Sequence, residues 1–361
     1  MIMSATKLLP LHHPDSLREP VRRVPRPANR RGLRDFDTVL RDEWSIDPES
    51  CRPLRHGQNL VFTARDREGN SVIVRATSPS HRSLRQLEAE LDWVAWLDLV
   101  GVPVGIPIET RLGKLAVSVH DEGELFHVSC FHRIDGTIVS NESSERWTDD
   151  FIRLWGRMIG RVHRWTERYQ PTGQSRYHWH EQPEWRLREK HHDLYHPGVL
   201  ERIDELVARL KRTPRGRSYQ VIHADAFTSN FLMRDDDLIL FDFDQSMYCW
   251  RLYDLLVAFQ MQYVFSYFIR PELNRFSVEE FWRLLLDGYR EAAELDREEL
   301  QLAESLLRLR QAVCYLVSKP EARKWAIIAG TSESAYLGAM RQVEESLLSD
   351  QPLLPVDLAE L

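Results

Sequence analysis

Residues 221–254, VIHADAFTSNFLMRDDDLILFDFDQSMYCWRLYD, constrain this chain more than any other stretch. Two apolar runs, 231–233 and 238–241, flank the polar Arg234, Asp235, Asp236 and Asp237, a pattern that predicts a β-hairpin. With Asp235, Asp236 and Asp237 as the loop, Arg234 faces Leu238, and counting outward brings Asn230 opposite Asp242. Directly opposed residues lie roughly 5 Å apart at Cβ on one face, so an amide oxygen and a carboxylate can grip one hard cation. Magnesium takes oxygen ligands in near-octahedral geometry, with one or two carboxylates and phosphates filling its shell. Asp244 shares the face of Asp242 by strand alternation and is a candidate further ligand.

Asp225 precedes the first strand by a short loop, which places a carboxylate beside the expected metal pair. Phosphoryl transfer has a loose transition state, so a protein contributes mainly positioning and charge neutralisation, and an ordinary carboxylate suffices as proton acceptor. Asp225 is therefore the candidate catalytic base, with His223 grouped at the same site as a brace of the loop. Hairpins with acidic turns are commonly just solvated. The argument rests on the conjunction H-x-D-x4-N, strand, turn, strand, D-F-D and a further acid at Asp254.

At these residues the chain resembles the aminoglycoside phosphotransferase and choline kinase superfamily, including its bacterial spore-coat-associated and stress-response kinases. The likeness runs from about residue 36 onward and is strongest in HADAFTSN and FDFDQSMYCWRLYD. It implies an α+β, bilobal, protein-kinase-like fold, with a small antiparallel β-sheet lobe carrying one helix and a larger, mainly helical lobe. It also implies ATP and Mg2+ as cofactors, Asp225 as base, Asn230 and Asp242 as metal ligands, and Asp254 as a structural brace. The implied activity moves the γ-phosphoryl group of ATP to a hydroxyl of a small molecule. Ala224 stands where the family usually has Gly, so the loop is expected to avoid a glycine-only backbone conformation.

Residues 59–64 and 71–76 flank a turn containing Glu68, Gly69 and Asn70 and predict a second antiparallel hairpin. The preceding loop contains only Gly57, a sparse version of a phosphate-covering loop. Where the resemblance puts a phosphate-pairing Lys, this chain has Arg75, whose planar fork is not equivalent to an ammonium point charge. Ser83 with Gln86 predicts a capped helix whose apolar face is Leu84, Leu87, Leu91 and Val94. Glu90, at the edge of that face, is the expected partner of Arg75. Strands are expected over 115–119 and 126–131, then a hinge over 131–136, with Phe131 at its start, against which adenine would dock.

Beyond the hinge, 151–165 predicts a helix whose Gly156 and Gly160 admit a close neighbour, with His163 as a satisfied core histidine. Residues 278–293 and 298–317 predict further helices, and 252–269 reads as buried helix rather than a membrane span. The aromatic residues Trp250, Tyr253, Tyr263, Tyr267, Trp282 and Tyr289 suit core packing better than a cage for a cationic acceptor. His178, His180, His191, His192 and His196 lack the spacing and Cys partners of a zinc site, and their segment reads as a surface contributor to acceptor recognition.

Residues 1–34 carry Lys7 and seven arginines against Asp15 and Glu19, a net +6, so a chain at −7 has a body at −13. That tail, with its five prolines, is expected to be disordered, and an acidic body argues against nucleic acid as the main partner. The expected division is a tail over 1–34, a nucleotide-binding lobe over 35–133 and a catalytic and acceptor lobe over 134–361. Cys51, Cys130, Cys249 and Cys314 form no paired pattern, no signal peptide or transmembrane segment is visible, and a reducing cytoplasm is the expected location. Two other readings are a protein Ser/Thr kinase of the stress-response type and a non-catalytic pseudokinase scaffold, which Arg75 and Ala224 would suit; the complete Asp225, Asn230 and Asp242 set favours the small-molecule kinase. The oligomeric state is not encoded in any feature above.

Overall fold

The computed structural model describes residues 35–361 apart from 57, 122, 140–144, 174, 265–274, 352–357 and 359–361. Gly57, Tyr267 and the 1–34 tail therefore lie outside the described residues, as does the side chain of Tyr263. Helix α1 (Phe36–Trp44) leads into strands β1 (Ile46–His56), β2 (Asn59–Asp66) and β3 (Ser71–Thr77), then helix α2 (Leu84–Leu99). Strands β4 (Pro107–Ile108), β5 (Val117–Asp121) and β6 (Glu124–His132) complete an antiparallel sheet ordered β1-β2-β3-β6-β4, with β5 also on β6. This is the expected small lobe, and α1 adds a second helix to it. Its core is Val39, Leu40, Val72, Val74, Val119 and Val128.

Local chemistry explains α2. Ser83 accepts from the Gln86 amide while Gln86 Oε1 accepts from the Ser83 amide, closing the anticipated capping box. Leu87, Leu91 and Val94 are buried as the periodicity requires. Leu115 and Ala116 precede β5 rather than belonging to it, because both pack with Leu87 and Leu91 in a small separate cluster. Phe131 is not the start of the hinge either. It is held within β6 by pairing with Ile73 on one side and Pro107 on the other, so the crossing to the large lobe begins after His132.

The large lobe runs through α3 (Asp149–Thr166), the single helical turn α4 (Leu187–Lys190), α5 (Pro197–Arg212) and β7 (Tyr219–Ile222). The hairpin β8 (Phe231–Arg234) and β9 (Asp237–Leu240) follows, then β10 (Met247–Trp250), which pairs with β7. Helices α6 (Leu252–Val264), α7 (Val278–Arg290), α8 (Arg297–Leu300), α9 (Ala303–Ser318), α10 (Ala322–Ile328) and α11 (Glu333–Ser349) complete it. The helix expected over 298–317 is thus two, parted at Gln301–Leu302. Trp250, Tyr253, Trp282 and Tyr289 are at most 2% exposed and belong to the main core, as the packing reading anticipated.

Helices α3 and α7 cross backbone against backbone. A Cβ on Gly156 would overlap the Leu285 carbonyl oxygen, and one on Gly288 the Arg153 carbonyl oxygen. At Gly160 the same atom would lie 2.7 Å from the Tyr289 carbonyl oxygen. A side chain at these positions must push apart the two helices that carry His163 and Tyr289, so Gly156→Ala should cost at least about 2 kcal/mol in urea unfolding. Gly173→Ala, where nothing lies within 4 Å, should change stability by less than about 0.5 kcal/mol.

Candidate active site

The loop between β7 and β8 is held by one buried carboxylate. Asp254 Oδ2 accepts from the His223 amide (2.9 Å) and Oδ1 from the Ala224 amide (2.6 Å). Oδ2 also meets His163 Nε2 at 3.0 Å, and His163 Nδ1 reaches the Tyr289 hydroxyl at 3.0 Å, so His163 is the satisfied core histidine anticipated. Ala224 adopts φ +63°, the left-handed region the sequence reading expected it to avoid. A Cβ there costs roughly 1 kcal/mol, and the two amide bonds to Asp254 keep the turn in place. Trp155 Nε1, from α3, bonds the Ala226 carbonyl oxygen at 3.0 Å and fixes the loop from the other side.

His223 is fully buried. Its Nε2 donates to the Phe241 carbonyl oxygen (3.1 Å), and its Nδ1 accepts from the Asp225 amide (3.2 Å). Burial pushes its pKa below the ordinary histidine value, so the ring is a neutral brace between loop and hairpin. Asp225 is half-buried, with a quarter of its side chain open. Asn230 Nδ2 donates to both the Asp225 carbonyl oxygen (2.8 Å) and Oδ2 (2.9 Å), which directs Asn230 Oδ1 away from that carboxylate. Ser229 Oγ donates to this Oδ1 at 3.2 Å.

The hairpin register differs by one from the expected pairing. Arg234 faces Asp237, not Leu238, because Asp235 takes a left-handed conformation (φ +54°) and a two-residue turn suffices. Asn230 consequently sits opposite Phe241, whose amide donates to the Asn230 carbonyl oxygen at 2.9 Å. Asp242 comes one residue later, in a left-handed conformation (φ +62°) that leads into a short 3-10 turn at Phe243–Gln245. The two expected ligands thus flank the open end of the hairpin as near-neighbours, without the strict cross-strand pairing. Asp244 lies in that turn, off the strand, so strand alternation does not put it on the face of Asp242. Its Oδ2 is 2.7 Å from His81 Nε2, and its Oδ1 is 3.4 Å from Arg82 Nε. Burial alone would raise the Asp244 carboxyl, but His81, Arg82 and Arg75 outweigh it and hold the group well below the usual carboxylate range.

In the small lobe Arg75 Nη2 lies 2.8 Å from Glu90 Oε1, the pairing anticipated, and both side chains are buried. Burial works against the Arg75 charge, but Glu90, Asp244 and Asp242 together outweigh it and keep the guanidinium cationic. For Glu90 burial is the larger influence and raises its carboxyl against the pull of Arg75. The Phe131 ring lies 5.0 Å from the Arg75 guanidinium carbon, so Phe131 supports this cation from within the sheet. Arg75 Nε is buried with no hydrogen-bond partner, a donor left over for an anion.

Three arginines at the site carry no motif. Arg310, on α9, places Nη2 3.2 Å from Asp225 Oδ1 although 85 residues separate them. Arg82 and Arg176 bracket the Asp242–Asp244 turn. Helical phase carries a signal for Arg310 alone, which lies one turn after the buried Leu306 and three residues before the buried Val313 on α9. At the start of the histidine-bearing segment, Tyr248 donates its amide to the Tyr177 carbonyl oxygen and His178 bridges to Tyr248, so residues 177–178 lie against β10.

The donor set suits a hard divalent cation: an amide oxygen directed away from Asp225, the Asp242 carboxylate, and a guanidinium donor free for phosphate nearby. No helix among the described residues is long and apolar enough to cross a membrane.

Residues 50–311 match the model of the phosphotransferase enzyme family. Amicoumacin kinase of Bacillus subtilis (strain 168) is 26% identical over 277 residues, covering 75% of this chain and 80% of that protein. Among solved structures, an amicoumacin kinase in complex with AMP-PNP, Ca2+ and Ami has a TM-score of 0.76 at 24% identity, covering 91% of this chain and 97% of the other. A microcompartment-associated aminopropanol kinase has a TM-score of 0.66 at 24% identity, covering 88% and 98%. The fold and the motif resemblance are thereby borne out, and the chain belongs to the phosphotransferase enzyme family.

Proposed function

We propose that this enzyme transfers the γ-phosphoryl group of ATP to a hydroxyl of a small molecule, with Asp225 as base and Asn230 and Asp242 as the magnesium ligands. The observation that carries the reading is the arrangement around Asp225, whose carboxylate is partly open to solvent and steered by Asn230 Nδ2 and Arg310 Nη2. An approaching hydroxyl can give its proton to Asp225 as its oxygen forms the new bond to phosphorus and the bond to the ADP oxygen breaks. Bound magnesium would supply charge neutralisation for the phosphate oxygens. Arg75, kept cationic by Glu90 and its neighbours, is suited to pair the non-transferred phosphates. Phe131 supports that cation. His223 keeps the loop in register without touching substrate.

Residues 35–133 are taken as the nucleotide lobe and 134–361 as the catalytic and acceptor lobe, with the reducing cytoplasm as the location. The relatives named for amicoumacin and aminopropanol support a small hydroxyl compound as acceptor. A coupled ADP-release assay over amino alcohols, sugars, hydroxy acids and aminoglycosides, with and without magnesium, tests the proposal. Acceptor-dependent turnover with one class supports it, and phosphate entering only protein substrates overturns it.

Asp225→Asn should lower kcat at least about 1000-fold while nucleotide affinity stays within about twofold, since the group acts on the acceptor proton. Asp242→Ala should remove magnesium-dependent nucleotide binding in calorimetric titration. Arg75→Lys should hold kcat/KM for ATP within about tenfold of the parent, whereas Arg75→Met should lose at least about 100-fold. Glu90→Gln, which leaves the Arg75 charge buried without its counterion, should cost about 3 kcal/mol of stability.

A further inference from the structure

The turn that carries Asp242 is fastened from behind by cations that phosphoryl transfer does not itself require. The Asp244 carbonyl oxygen accepts from Arg82 Nε (3.3 Å) and Nη2 (3.2 Å) and from Arg176 Nη2 (2.6 Å). Arg176 also donates from Nε to the Ser246 carbonyl oxygen (2.7 Å) and from Nη1 to the Gln86 carbonyl oxygen (2.8 Å). Both guanidiniums lie against the Tyr177 ring, at 5.7 Å for Arg82 and 5.0 Å for Arg176. His81 and Arg82 immediately precede α2 and Gln86 lies in its first turn, whereas Asp244, Ser246 and Arg176 belong to the large lobe. Arg82, Arg176 and Asp244 are 1%, 4% and 4% exposed, so this contact between the lobes excludes water.

We propose that Asp244 is an interlobe fastening and not a magnesium ligand, and that Arg82 and Arg176 are positioning residues that set the Asp242 turn at a fixed place relative to Arg75. This rests on the assignment of magnesium to Asn230 and Asp242. A carboxylate whose oxygens already face His81 and Arg82 is matched to cations, and a divalent ion brought against the same oxygens would meet repulsion from Arg82 in a low-dielectric setting. The main-chain acceptors at Gln86, Asp244 and Ser246 are all taken by the two guanidiniums. Loss of Arg176 takes from the buried Ser246 carbonyl oxygen its guanidinium donor, and loss of Arg82 takes from the buried Asp244 carboxylate one of its two cationic partners, and either change frees the turn to shift. The Arg75–Glu90 pair lies on β3 and α2, so a fastening at the start of α2 couples the phosphate-facing cation to the metal turn.

A double-mutant cycle in the full-length protein tests this. Arg82→Met and Asp244→Asn should each raise the magnesium concentration for half-maximal activity about tenfold while the acceptor KM stays within about twofold. Combined, they should do no worse than the more damaging single change, because both cut the same link. Arg82→Lys should recover part of the loss. Arg176→Met, which leaves the side-chain partners of the Asp244 carboxylate in place, should shift magnesium dependence in the same direction. Abolition of magnesium binding by Asp244→Asn with none of the shift in Arg82→Met would make Asp244 a ligand and overturn the proposal, as would additive losses. If the parent protein shows no magnesium-dependent nucleotide binding, the functional reading itself fails. The fastening is then read from urea unfolding of the same four proteins, where non-additive destabilisation supports it and additive destabilisation overturns it.

Discussion

The carboxylate of Asp254 is the interaction on which the site depends. It takes two successive amides of the catalytic loop and the imidazole of His163, and it does so at 1% exposure, where a missing partner is expensive. These bonds hold Ala224 in a left-handed turn that its Cβ disfavours. The turn in turn directs Asp225 outward and lets His223 span from the loop to Phe241. Asp254 stands in the first turn of α6, a helix whose residues 252–259 are all buried, so the loop inherits the rigidity of the main core.

Around this fixed point the electrostatics are arranged in two layers. Asp225, Asn230 and Asp242 form an oxygen-rich edge, while the buried Arg75, Arg82 and Arg176 and the half-buried Arg310 stand behind or beside them, each against a named acceptor. Alternation of sign lets two carboxylates and an amide oxygen share one edge with compensating cations beside them. It also gives a physical reason for an arginine at position 75. A fork can pair with Glu90 through one nitrogen and retain another donor, and Nε remains without a protein partner.

Much of this was legible in the chain itself, for definable reasons. Features set by local periodicity or spacing read correctly: the hairpins, the Ser83 cap, the burial of Leu87 and Leu91, and the close approach at Gly156. The Arg75–Glu90 pair was legible because the family resemblance marks position 75 and helical phase puts Glu90 at the edge of the buried face of α2. The one-residue register error came from the turn, since three consecutive aspartates do not announce that Asp235 will adopt a left-handed conformation and shorten the loop. Ala224 misled for a related reason: the strain is stabilised by Asp254, a partner 30 residues away. Arg82 and Arg176 were invisible as site residues, and helical phase marks Arg310 without naming its partner, because a long, flexible side chain can reach acceptors far off in sequence and no motif encodes such a meeting. Phe131 was displaced from the hinge because pairing on both sides of β6 continues one residue past it, which hydrophobic pattern alone does not reveal.

The central claim is that an Asn and an Asp at the open end of one hairpin hold the metal while Asp225, held out by the Asp254-braced turn, faces the transferring group. A crystal structure with magnesium and a non-hydrolysable ATP analogue tests it most directly. Magnesium is expected to be bound through Asn230 Oδ1 and Asp242, with the Asp225 carboxylate directed at the terminal phosphate. A metal held elsewhere, or Asp225 turned away from the nucleotide, would contradict it.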